Sequence, residues 1–225
     1  MALALFDLDN TLLGGDSDYL WGRFLVEQGL VDGDLYARQN QYFYDQYKAG
    51  SLDIEAFLAF SLRPLAEHPP ARLHAWRDQF IARLIEPIIL PAARTLIERH
   101  RAGGDTPVII TATNRFVTAP IAARLGVAHL IATEVEMAGD RYTGHSSGIP
   151  CFQGGKVRRL HQWLAEQSAA LDGSWFYSDS HNDLPLLEQV AHPVAVDPDD
   201  RLTQQARDRG WPIISLRQGW TPPDT

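Results

Sequence analysis

The run Ala2-Leu3-Ala4-Leu5-Phe6 is apolar at every position and breaks abruptly onto Asp7-Leu8-Asp9-Asn10-Thr11. A strand with one solvated face alternates apolar and polar residues. A strand without such alternation is buried on both faces, as in the interior of a parallel sheet. In open parallel sheets ligands gather at the carboxyl ends of the strands, which is where Asp7 falls. Successive strand side chains point to opposite faces, so Leu8 turns away from Asp7 and Asp9 and both carboxylates can look into one cleft. Close carboxylates repel, and their coexistence calls for a cation, a shared proton or separate roles.

Taken alone, the pair also fits a strand end capped by Asn10 and Thr11, or the metal-binding Asp-x-Asp of nucleotide-sugar transferases. The pattern recurs downstream. Trp175-Phe176-Tyr177-Ser178 runs into Asp179, a polar loop Ser180-His181-Asn182 follows, and Asp183 opens an expected helix with Leu184, Leu187 and Val190 on its apolar face. Four carboxylates from two strand ends can then converge, and such an oxygen-only set suits a hard cation, Mg²⁺ above others. The alternative for Asp183 is an ordinary acidic residue at a helix N-terminus.

Between these segments, Thr106-Pro107-Val108-Ile109-Ile110 is another buried-strand pattern and leads into Thr111-Ala112-Thr113-Asn114. These residues offer donors where a helix is about to begin, a natural place for an anion, although a plain N-cap explains Asn114 equally well. Gly154-Gly155-Lys156 opens a further helix carrying Val157, Leu160, Trp163 and Leu164 on one face. A cation in a first helical turn opposes the helix dipole, which points to Lys156 meeting an anion.

In order and spacing, Asp7-Leu8-Asp9-Asn10-Thr11, Thr111, Lys156 and Ser178-Asp179-Ser180-His181-Asn182-Asp183 resemble the four motifs of the haloacid dehalogenase superfamily. The resemblance spans nearly the whole chain and is closest to the phosphoserine-phosphatase-like branch. It implies an α/β fold: a Rossmann-like parallel sheet with helices on both faces, built from 1–13 and 87–225, plus an inserted α-helical cap at 14–86. It further implies Asp7 as a nucleophile forming an aspartyl-phosphate and Asp9 as general acid and base. Thr111, Ala112, Thr113, Asn114 and Lys156 would hold the phosphoryl oxygens. Mg²⁺ would be held by Asp7, Asp9 through its backbone carbonyl, and Asp179, with Asp183 supporting that shell from behind or through water.

The 14–86 stretch changes character accordingly, with apolar residues at helical spacing. Leu20, Phe24 and Leu25 mark a helix stopped by Gly29; Leu35, Tyr42, Phe43 and Tyr47 mark one stopped near Gly50. Asp53 starts a third helix, and after Pro69-Pro70 a fourth carries Leu73, Trp76, Phe80 and Leu84. Tyr42, Tyr44 and Tyr47 read as packing. From Pro91 onward helices and strands alternate, with further strands at Leu130–Thr133, Pro193–Val196 and Ile213–Leu216, a hairpin around Gly139-Asp140, and a helix that starts or kinks near Pro120. The Thr221–Thr225 tail is expected to be mobile.

With 225 residues, 45% hydrophobic and 21% charged, the composition is that of a globular enzyme. A net charge of −8 without a basic stretch argues against nucleic acid or an anionic membrane as partner. The single cysteine, Cys151, rules out an internal disulfide framework, and no secretory leader or membrane span is legible. The expectation is a cytoplasmic monomer or homodimer acting on a small phosphomonoester.

In the phosphoserine phosphatases an acid shortly after the first motif binds the substrate amine and a cap arginine its carboxylate; Asp16 and Arg63 stand in for them here. Asp16 is shorter than the family's glutamate, and the family's glycine-rich second-motif loop is replaced by Ala112-Thr113-Asn114. The expected substrate is therefore a phosphorylated amino alcohol, with histidinol phosphate ahead of phosphoserine. The alternatives are a helix cap for Asp16 and a surface ion pair for Arg63. For the protein as a whole they are a phosphotransferase and a receiver-like regulatory phospho-acceptor.

Overall fold

The computed structural model describes residues 2–217, so the Thr221–Thr225 tail lies outside the described residues. The strands β1 (Leu3–Phe6), β2 (Thr106–Asn114), β3 (His129–Ala138), β4 (Arg141–Ser147), β5 (Trp175–Ser178), β6 (His192–Val196) and β7 (Ile213–Ile214) form one sheet. Its order is β4-β3-β2-β1-β5-β6-β7. Every pairing is parallel except β3 with β4, an antiparallel hairpin turning at Gly139-Asp140.

The apolar runs are buried on both sides, as their lack of alternation requires. Ala4, Phe6, Ile109, Tyr177 and Val194 face a core closed by α1 (Ser17–Glu27), α6 (Pro91–Ala102) and α7 (Arg115–Arg124). Leu5, Val108, Ile110, Phe176 and Ala195 face the opposite core, beneath α8 (Gly154–Gln167), α9 (Leu184–Leu187) and α10 (Asp200–Arg209). Phe6 and Phe176 are wholly buried, each contributing about 1.5–3 kcal/mol through removal of apolar surface from water.

Between β1 and α6 the chain forms α1, α2 (Gly33–Ala49), α3 (Ile54–Ser61), α4 (Arg63–Glu67) and α5 (Pro70–Phe80). Its way out and its way back lie side by side: Leu13 bridges Ile89, Gly14 N donates to Ile88 O at 2.7 Å, and Leu90 N donates to Leu12 O at 3.2 Å. Gly50 ends α2 in the left-handed region at φ 74°, a conformation glycine adopts without the Cβ penalty.

Some local expectations are corrected. A short α4 stands between the third and fourth expected helices, and Leu84 belongs to a π-helical turn (Ile81–Ile85) rather than to α5. Asp183 ends a 3₁₀ turn (His181–Asp183), and only the four residues of α9 follow it, too short to carry Val190. Helix α7 neither starts near Pro120 nor breaks there: Asn114 caps it through Val117 N at 3.1 Å and the helix runs on through Pro120. Pro120 has no N–H for the Phe116 carbonyl, and Arg77 of α5 replaces that donor, its Nη1 reaching Phe116 O at 3.0 Å. No helix of the described residues is long and apolar enough to cross a membrane.

Candidate active site

Strand β1 is flanked by β2 and β5, so its carboxyl end brings three chain segments together. Asp7 N donates to Tyr177 O at 2.9 Å, which carries the pairing one residue past the strand. A turn then closes through Leu12 N to Leu8 O at 2.9 Å, with Leu8 and Leu12 buried. Asp7, Asp9 and Thr11 are thereby turned toward the sheet's end.

Asp7 and Asp9 occupy different environments. Lys156 Nζ donates to Asp7 Oδ1 and to Asp183 Oδ2, both at 2.7 Å, and Ser178 Oγ also donates to Asp183 Oδ2 at 2.7 Å. Lys156 is only 3% exposed. Burial works against its charge, but Asp183 and Asp7 outweigh burial and raise its pKa, so it stays an ammonium. Burial also pushes the Asp7 carboxyl up, to about 7, with Lys156 offsetting only part of the effect. Asp9 has no lysine. It accepts Ser17 N on Oδ1 at 2.6 Å and Thr113 Oγ1 on Oδ2 at 2.7 Å. Burial, then the negative charge of Asp16, lifts its pKa to about 6.

Asp179 meets the first segment through Thr11. Its backbone N donates to Thr11 Oγ1 at 3.1 Å, and that hydroxyl can donate to Asp179 Oδ1 at 3.0 Å or to Asp7 Oδ2 at 3.3 Å. Burial and the nearby Asp7 hold the Asp179 carboxyl well above the ordinary range. Thr11 and Ser178, which fall within the motifs but carry no assigned role in the sequence, are therefore site residues as well. The cue for Thr11 was a hydroxyl one helical turn beyond Asp7.

Lys156 owes its position to a strained approach. Gln153 sits at φ 46°, and a Cβ on Gly155 would stand 2.0 Å from Pro150 O, so the chain can enter α8 this closely only with glycine there. Thr111, Ala112 and Thr113 line the cavity beside Asp7 and Asp9, with Thr113 N donating to Thr111 Oγ1 at 3.2 Å. Asn114 does not line it; its side chain is committed to capping α7, which corrects the expectation that it contacts phosphate.

Above these residues the cavity is walled by α1, α2 and α3: Asp16, Asp18, Tyr19, Asn40, Tyr44 and Phe57, among others. Tyr44 and Tyr47 line it and are not simply packing, whereas Tyr42 is exposed. Asp16 takes both expected places: it lines the cavity and caps α1 by accepting Tyr19 N at 2.8 Å. Arg63 does not line the cavity; it is exposed and pairs with Glu67 at 3.4 Å, so the surface alternative describes it. The C-terminal end of α2 is fastened to the core. Asn182 Nδ2 donates to Tyr47 O at 3.1 Å and Arg201 Nη1 to Ala49 O at 2.9 Å.

The donor set fits a hard cation. Asp7 and Asp183 share one ammonium, the neighbouring Asp179 has none, and burial lifts the Asp7 and Asp179 carboxyls, so an additional positive charge is what this cluster lacks. Among the described residues no three His, Cys, Asp or Glu side chains form a ready metal cluster. The side chain of Asp9 is occupied by Ser17 and Thr113, and Asp183 Oδ2 by Lys156 and Ser178. Asp7 Oδ2 and Asp179 Oδ1 are met by the Thr11 hydroxyl, which they share, so Asp7 and Asp179 are the side chains that could hold a hard cation such as Mg²⁺.

A model of the haloacid dehalogenase-like hydrolase family matches residues 4–188. The chain is 44% identical over 219 residues to a histidinol-phosphatase of Neisseria meningitidis serogroup C, covering 96% of this chain and 99% of that one. It is 33% identical over 221 residues to a phosphoserine phosphatase of Mycobacterium tuberculosis, covering 96% of this chain and 71% of the relative. A crystal structure of a Bordetella pertussis protein of unknown function superimposes with a TM-score of 0.90 at 46% identity, over 96% of this chain and 98% of that one.

Proposed function

This chain belongs to the haloacid dehalogenase-like hydrolases, and from that premise we propose a Mg²⁺-dependent phosphomonoesterase working through an aspartyl-phosphate, with histidinol phosphate the favoured substrate and phosphoserine next. The observation that carries the reading is the division of labour at the end of β1: Asp7 is gripped by Lys156, while Asp9 is held by Ser17 and Thr113 with its pKa lifted to about 6. One carboxylate is fixed for attack and its neighbour is poised to exchange a proton near neutrality. The 44% identity to a histidinol-phosphatase along nearly the full length of both chains supports the substrate order.

Asp7 attacks phosphorus, and the bond from phosphorus to the ester oxygen breaks as Asp9 protonates that oxygen. Asp9, now ionised, takes a proton from a water that attacks the aspartyl-phosphate, releasing phosphate and restoring Asp7. Bound Mg²⁺ would neutralise charge between the Asp7 carboxylate and the phosphoryl group. Lys156, Thr111 and the Ala112–Thr113 segment bind the phosphoryl oxygens, and Thr11 and Ser178 keep Asp179 and Asp183 in place. Residues 14–86 act as a cap that surrounds the leaving group and excludes bulk water, joined to the core at the Leu13 and Ile89 bridge. Membership of a hydrolase family takes the place of the regulatory phospho-acceptor alternative.

The test is phosphate release with Mg²⁺ or with EDTA across histidinol phosphate, phosphoserine, phosphoethanolamine, sugar phosphates and p-nitrophenyl phosphate, repeated with an added acceptor alcohol. Mg²⁺-dependent release led by histidinol phosphate is expected. No release from any compound refutes the phosphatase, and transfer to alcohol in preference to water makes it a phosphotransferase.

A further inference from the structure

Gln153 holds a backbone conformation that its own Cβ makes costly. Its φ of 46° and ψ of −122° are those of the first central residue of a type II′ turn, a place that glycine fills and other residues rarely enter. Gly155 N closes the turn by donating to Phe152 O at 2.7 Å. Two glycines follow at once, yet the strained position itself carries glutamine. Strain of this kind persists only where the surroundings fix it, and it gathers at working sites.

The side chain shows what the strain serves. Gln153 Nε2 donates to Asn182 Oδ1 at 3.0 Å, and Asn182 Nδ2 donates to Tyr47 O at 3.1 Å. Asn182 is buried, so losing either partner leaves a polar group without compensation. Tyr47 lies in the last turn of α2 and lines the cavity above Asp7 and Asp9. Its ring also meets that of Phe152, the residue before Gln153, with 6.1 Å between centroids. The Phe152–Gln153 segment therefore senses the end of α2 twice, through a ring and through an amide. On its other side the same turn sets Lys156, whose N donates to Gln153 O at 3.0 Å and whose Nζ grips Asp7 and Asp183. A short chain of contacts thus runs from the cap through Asn182 and Gln153 to the lysine beside the nucleophile.

We propose that Gln153 is a positioning residue: through Asn182 it ties the end of α2 to the entry of α8, so that Lys156 is held against Asp7 when the cap lies over the site. The proposal rests on the phosphatase reading for its effect on turnover, but not for the link itself.

The experiment compares Gln153→Ala with Gln153→Gly. Both remove the side-chain amide, but only alanine keeps the Cβ that strains the turn. The glycine variant should therefore melt roughly 2–4 °C above the alanine variant. Both should nevertheless lose the same roughly 2- to 12-fold in kcat, the factor for one neutral hydrogen bond, with KM nearly unchanged. The loss should be equal on histidinol phosphate and p-nitrophenyl phosphate, because Lys156 meets the phosphoryl group that they share. Hydrogen exchange at the Gly50 and Ser51 amides, which bond back to Tyr47 O and Gln46 O at the end of α2, should quicken in both variants. Asn182→Ala should quicken it too, and adding Gln153→Ala to that variant should lower kcat no further. Equal Tm in the two Gln153 variants, turnover that follows Tm instead of the side chain, a loss confined to one substrate, exchange unchanged from wild type, or additive losses in the double variant overturns the proposal. A wild type that hydrolyses no phosphate ester, while exchange still responds to Gln153→Ala, refutes the phosphatase reading alone and supports the link.

Discussion

Replacing Lys156 by methionine removes the ammonium at the centre of the site while keeping the length of its aliphatic stem. In the native protein Nζ lies 2.7 Å from both Asp7 Oδ1 and Asp183 Oδ2, and all three side chains are buried. Breaking a buried ion pair by deleting one partner typically costs about 3–5 kcal/mol, because the remaining charge is left without compensation. For a chain of 225 residues that corresponds to a fall in Tm of roughly 6–20 °C. The loss must also depend on pH. Lys156 lowers the Asp7 pKa, so without it the folded-state value rises further above the ordinary 3.8. A carboxyl with a raised folded pKa binds a proton in the folded state that the unfolded chain has already released. Its stability contribution is therefore lost as pH rises from about 4 through the folded pKa. Because the wild-type Asp7 value is already about 7, the deficit of the variant should be larger at pH 8 than at pH 5 by at most about 1.4 kcal/mol. Urea unfolding followed by tryptophan fluorescence, in EDTA at both pH values, measures this. A loss below about 1 kcal/mol, or one of equal size at pH 5 and pH 8, refutes the idea that Lys156 compensates buried charge.

Asp7→Asn should abolish phosphate release, whereas Asp9→Asn should slow both half-reactions and leave a phospho-enzyme that mass spectrometry detects; normal turnover in either variant removes that residue from its role. Gly155→Ala places a Cβ 2.0 Å from the Pro150 carbonyl, so both Tm and kcat should fall as Lys156 is displaced, and unchanged values would contradict the close approach. Arg77→Met should cost about 1–3 kcal/mol by leaving the Phe116 carbonyl without a donor; adding Pro120→Ala, which restores an N–H to that carbonyl, should recover much of the loss, and purely additive effects in the double-mutant cycle argue against the link. His100 lies between Asp105 and Tyr177 with its pKa lowered, chiefly by burial. The unfolded chain takes up its proton first as pH falls below 6.5, so the stability advantage of wild type over His100→Gln should shrink from pH 7.5 to pH 5.5. An advantage that grows toward acid pH overturns that sign.

The sequence by itself determined the face and the end on which the chemistry sits. Unbroken apolar runs admit only strands covered on both sides, and such strands deliver the residues that follow them to one edge of the sheet. Asp7, Asp179 and the Thr111 segment were legible for that reason, as were the helix stops at Gly29 and Gly50. Partners were not legible. That Asp9 is held by Ser17 and Thr113, that Thr11 joins Asp7 to Asp179, and that Arg77 serves a carbonyl left open by Pro120 all depend on strand order and on how the helical insertion lies over the core. Periodicity along one segment carries no information about which distant segment lands beside it. The same limit explains Asn114, Tyr44, Tyr47 and Arg63, whose residue types suit both a binding role and a structural one. Only the packing of α2, α4 and α7 decided that Asn114 caps a helix, that Tyr44 and Tyr47 face the cavity, and that Arg63 lies outside it. A side chain's chemistry is local, but what it can act on is set by contacts between segments far apart in the chain.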